Sequence, residues 1–116
     1  MLLSADAKAR IAARTALGKK AESLLVLDLQ AISTIADYFV ICCGSSTTQV
    51  RTIADAVAAS LKAEGAHVFH REGLPESGWM LLDYGDVIVH VFLPETREFY
   101  SLERLWGDAP ELTIEA

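Results

Sequence analysis

GWMLLDYGDVIVHVFLPETREFYSLERLW, residues 78–106, decides the reading of this chain. Two apolar runs, 79–83 and 87–93, flank Tyr84-Gly85-Asp86, a turn-forming triplet, and so read as a β-hairpin. Pro94 stops the second run, and the spacing that follows predicts a helix over 96–106, ended by Gly107. Phe99, Leu102 and Trp106 recur at three and four and give that helix one apolar face. The stretch holds both tryptophans, two of three tyrosines and two of four phenylalanines. From Trp79 onward eight acids face two bases, Arg97 and Arg104, so this third carries the whole net charge of −6. Aromatic residues with an acidic surround suit docking on a basic partner, because complementary charge steers encounter and aromatics supply buried contact area.

Working back toward the N-terminus, Gly44-Ser45-Ser46 and Gln49 form a strand-to-helix junction with a capping-box pattern. Val50, Ile53, Ala54, Val57 and Leu61 then make a core-facing helical stripe, closed by Gly65. Residues 38–43 and 24–29 read as buried strands, and 67–71 as a third. An amphipathic helix over 5–17 takes Ser4 as its cap, with Gly18 expected in the left-handed conformation at its end. Residues 1–20 hold five bases and one acid, which also describes a transit peptide; the folded helix is favoured, and no secretory signal is visible. The tail from Asp108 is expected to be loosely held.

The expected order is therefore α-β-β-α-β-β-β-α. It implies an α/β (α+β) fold, a mixed sheet of about five strands flanked by helices. The middle β-α-β would be a crossover joining parallel strands, with antiparallel hairpins on either side. A chain of 116 residues with 52% hydrophobic residues is one domain, taken as 1–110 with a short tail at 111–116. The longest apolar run is strand-sized, so no membrane span is expected, and the acidic balance argues against broad phosphate-backbone binding.

Several residues invite chemistry. Gly44 and Ser45 resemble the entry motif of nucleotidyltransferases, which would need paired acids for magnesium; Asp83 and Asp86 are three apart and read better as turn acids. His67, His70 and His90 lack metal-site spacing, and His90, inside an apolar run, reads as a hydrogen-bonded core residue. Adjacent Cys42 and Cys43 point to opposite faces of a strand and are expected to stay reduced. No metal, cofactor or catalytic group is expected.

The chain resembles the ribosomal silencing factor family, also called Iojap-like. The matching residues are Leu27-Asp28-Leu29, Ala36 through Ile41, Gly44, Ser46 and Gln49, Glu72-Gly73, Gly78-Trp79, Leu82 through Asp86, Val89 through Phe92, Arg97, Phe99-Tyr100, Leu102-Glu103 and Leu105-Trp106. The resemblance runs from about residue 4 to 109. It implies a nucleotidyltransferase-like fold without the catalytic acid pair. It also implies a translational repressor, active when nutrients are scarce, that binds the large ribosomal subunit through its L-fourteen protein and sterically blocks the small subunit. Carried over by position, the partner-facing residues are Trp79, Leu82, Asp83 and Tyr84 on the hairpin and Arg97, Tyr100, Leu105 and Trp106 on the last helix. A start at Met1 favours a bacterial cytoplasm, with little direct nucleic-acid contact and no membrane. The alternatives are a metal-dependent nucleotidyltransferase-like enzyme using Gly44, Ser45 and Asp83, and a dimerising module that uses the same aromatic patch.

Overall fold

The computed structural model describes residues 3–101, 104, 107 and 109–114, with backbone only at Phe99 and Tyr100. The elements follow one another as α1 (Ala5–Gly18), β1 (Glu22–Asp28), β2 (Tyr38–Cys43), α2 (Thr47–Ala63), β3 (His70–Glu72), a 3-10 turn (Pro75–Ser77), β4 (Trp79–Asp83), β5 (Val87–Phe92), α3 (Pro94–Tyr100) and β6 (Glu111–Leu112). The strands form one mixed sheet in the order β3-β4-β5-β2-β1-β6. Among the described strands only β2 and β5 pair in parallel; every other neighbouring pair is antiparallel.

α1 and α2 cover one face. α1 turns a stripe of small residues inward, Ala9, Ala12, Ala13 and Ala16, and α2 turns in Val50, Ile53, Ala54, Val57 and Leu61. Both meet Val26, Val40, Cys42, Met80, Leu82, Val89 and Val91 from alternate positions of the strands. The opposite face carries Leu27, Phe39, Ile41, Cys43, Ile88 and Phe92, with Leu29 and Ala36 of the β1–β2 connection and Ala109 packed there. Being buried on both faces, β2 and β5 read as continuous apolar runs.

Most elements lie where the sequence puts them, with several differences. The sheet has six strands, because Glu111–Leu112 of the expected tail pairs with Val26 and Leu27. The strand expected at 67–71 begins at His70, since Ala66 is still tied to the end of α2 through the Leu61 carbonyl. The chain after α2 does return parallel to β2, but β5 and β4 lie between β2 and β3. Finally, Pro94 starts α3 as well as ending β5, its φ being pre-set for the first helical turn. That helix closes at Ser101 in the left-handed conformation, φ 48°. At the end of α1 the left-handed residue is Lys20 rather than Gly18. The Gln49 side-chain Nε2 donates to the carbonyls of Lys19 and Lys20 there, both at 3.2 Å.

Candidate functional site

Strand β4 is an edge-proximal strand with a clean two-residue alternation. Trp79, Leu81 and Asp83 are half-buried on the face away from α1 and α2, while Met80 and Leu82 are buried beneath those helices. Directly paired residues share a face, so Glu72 of β3 stands beside Leu81, and His70 beside Asp83. The sheet edge thus presents an indole and a leucine, with the Glu72 carboxylate beside Leu81 and the Asp83 carboxylate beyond it along β4. Glu72 and Leu81 were not among the partner-facing residues expected from the sequence. Strand parity carries the signal for Leu81: it shares the face of Trp79, and Leu82 cannot.

That parity corrects two of the expected partner-facing residues. Leu82 is fully buried and Tyr84 is 2% exposed, both inside the helix-covered core. Among the described residues the Tyr84 hydroxyl has no hydrogen-bond partner, and burial raises its pKa. Asp83 keeps its place on the outer face, where its carboxylate accepts the Gly85 amide at 2.7 Å and closes the hairpin turn. Asp86 pairs with Lys8 of α1 at 3.0 Å, and its carbonyl accepts the amides of Asp37 and Tyr38. Both acids therefore act as turn acids.

Trp79 is held from behind by an aromatic stack. Its indole lies on Phe92, centroids 5.1 Å apart, and its Nε1–H donates to Nδ1 of His90 at 3.2 Å. His90 is 4% exposed and meets Phe39 edge-on at 4.7 Å. Burial lowers its pKa to about 4, so the ring is neutral, and the accepting Nδ1 places its proton on Nε2. In front of the indole lies a cleft of about 180 Å³ lined by Glu72, Gly73, Ser77, Trp79 and Leu81. Two glycines make this geometry accessible. Gly73 has φ +89°, and a Cβ there would fall 2.1 Å from the Trp79 carbonyl oxygen; at Gly78, φ +80°, it would fall 2.2 Å from Thr96 Oγ1.

Arg97 of α3 is half-buried, and its guanidinium donates to the Ser23 carbonyl at 2.5 Å and to Cys43 Sγ at 3.4 Å. Ser23 sits at an irregularity in β1 with φ 52°, which turns its carbonyl toward α3. Arg97 thereby pins α3 to the sheet. The Tyr100 side chain, Leu105 and Trp106 lie outside the described residues, so the helical half of the expected partner surface is represented by Arg97 alone.

The other candidate chemistry does not assemble. Gly44 donates its amide to the Phe92 carbonyl, whereas Asp83 pairs with Ile88, four strand residues and about 13 Å away. The Gly44-Ser45-Ser46 turn is occupied by its own helix cap: Ser46 Oγ accepts the Gln49 amide at 3.1 Å, and Gln49 Oε1 accepts the Ser45 amide at 2.6 Å. Gly44 is needed there because a Cβ would stand 2.8 Å from the Val50 nitrogen. Among the described residues no three acids, histidines or cysteines converge as a metal site. Cys42 and Cys43 are free and buried on opposite faces, and burial pushes the Cys42 thiol up to about 12.

This combination defines a small α/β domain that presents, among the described residues, an aromatic and acidic sheet edge. The family model described as "Ribosomal silencing factor during starvation" matches residues 3–116, and the chain belongs to that family. It is 48% identical over 101 residues to the ribosomal silencing factor RsfS of Bacillus subtilis, covering 87% of this chain and 86% of that one. It is 32% identical over 91 residues to the mouse protein named "Mitochondrial assembly of ribosomal large subunit protein 1", covering 76% of this chain and 40% of that one. A crystal structure of a Chromobacterium violaceum protein superposes with a TM-score of 0.87 at 28% identity, covering 98% of this chain and 94% of that one. No helix among the described residues is long and apolar enough to cross a membrane.

Proposed function

We propose that the chain represses translation by binding the large ribosomal subunit through its L-fourteen protein, on the face that meets the small subunit, and that it acts by occupying space without catalysis. The reading rests on one observation above all. Trp79 and Leu81, packed against Phe92 and His90, share one face of the sheet with the carboxylates of Glu72 and Asp83. A rigid aromatic anchor with an acidic rim suits a basic ribosomal protein. Membership of the silencing-factor family supports the ribosomal target, and the printed name of the mouse relative associates that protein with the large subunit. The place of action is the bacterial cytoplasm, where free subunits are found.

The test is sedimentation of the purified protein with isolated large and small subunits, alongside a folded Trp79→Ala variant. The protein is expected to travel with the large subunit alone. The variant should lose about 2 kcal/mol or more of affinity, as for a buried aromatic anchor. Travel with neither subunit, or unchanged binding by the variant, refutes the assignment.

A further inference from the structure

We propose that the cleft beside Trp79 receives one lysine or arginine side chain of the protein partner, its stem lying along Trp79 and Leu81 and its cationic head meeting Glu72. This deepens the docking reading above and rests on it. The size of the cleft is the first argument. At about 180 Å³ it falls below the roughly 300–1,000 Å³ of sites that enclose a whole small-molecule ligand, and suits a single side chain. The second is the order of its lining: an indole and a leucine make the walls, and a carboxylate stands on the β3 strand beside Leu81. A long apolar stem ending in a charge is the side chain that fits both ends at once.

Charge settles the sign of the occupant. Glu72 and Asp83 share this face of the sheet, so an acidic side chain would be repelled from both directions. The indole N–H is committed to His90, which removes the donor through which a tryptophan would hold an anion. In the free protein Glu72 Oε1 lies 2.8 Å from His70 Nε2, with both side chains more than half exposed. Such a pair is held weakly and is exchanged for a stronger, charge-assisted contact when a cation arrives. Gly73 keeps the cleft open on its loop side, where its positive φ admits no ordinary side chain without strain.

The experiment measures binding of the labelled full-length protein to purified large subunits over a series of salt concentrations. Glu72→Gln, an exposed and nearly isosteric change, is expected to weaken binding about five-fold at low salt and to flatten the salt dependence. Glu76→Gln, also exposed but outside the cleft, should bind within about two-fold of the unmutated protein. Glu72→Lys should reduce binding further than Glu72→Gln, and unfolding curves of all three variants should match the parent. Equal binding by Glu72→Gln, or equal losses in Glu72→Gln and Glu76→Gln, overturns the cleft assignment. If the unmutated protein binds no large subunit, the docking reading and this one fall together; if it binds and Glu72→Gln has no effect, only this one falls.

Discussion

Acidification from about pH 7.5 to about pH 5 charges, on unfolding, a ring that the native protein holds neutral, and the cost can be worked from the site. His90 is 4% exposed and its pKa falls to about 4, against an ordinary value near 6.5. A lowered folded-state pKa means that the unfolded chain binds the proton more tightly. Stability from this residue is therefore complete above about pH 6.5 and declines as the pH falls toward 4. Integrating between those values gives a loss of about 2 kcal/mol at pH 5. The same proton would convert Nδ1 from acceptor to donor facing the Trp79 N–H, so the anchor loses its rear support as the fold weakens. Urea unfolding at the two pH values, on the parent and on His90→Asn, isolates the contribution. Asparagine keeps an acceptor near Nδ1 but does not titrate, and every other ionisable group is common to both proteins. The parent should lose about 2 kcal/mol more than the variant over this range. Equal losses would refute the claim that His90 is buried and neutral.

Other substitutions test separate parts of the architecture. Tyr84→Phe removes a buried hydroxyl without a partner among the described residues and should leave stability unchanged or raise it by about 1 kcal/mol in urea unfolding; a clear loss would mean that the hydroxyl is satisfied. Gly73→Ala combines φ +89° with a Cβ 2.1 Å from the Trp79 carbonyl oxygen, and should cost more than about 1 kcal/mol and weaken large-subunit binding. Arg97→Ala removes the donor to Ser23 and Cys43 and should cost about 1 kcal/mol or more, read as a shift in the urea midpoint.

Periodicity made the core legible. The five apolar positions of the second helix and the continuous run at 38–43 are the residues the structure buries. The sixth strand could not be read, because two residues, Glu111 and Leu112, carry no period, and their pairing with Val26 and Leu27 is a long-range contact. The insertion of β5 and β4 between β2 and β3 is a long-range choice that local pattern does not encode. The end of α3 was missed because Ser101, not glycine, adopts the left-handed conformation. In the candidate site Trp79 and Asp83 were legible, and the strand's own alternation separates them from Leu82 and Tyr84. Glu72 was not legible as a member, since only the β3–β4 register sets it beside Leu81.

The most direct test of the proposed role follows joining of purified large and small subunits by light scattering, with the protein added to the large subunit first. Steric occlusion predicts that joining falls in proportion to occupied large subunits, is spared when the protein is added to preformed ribosomes, and is restored by Trp79→Ala. Joining that proceeds normally with the large subunit saturated by bound protein would contradict the account.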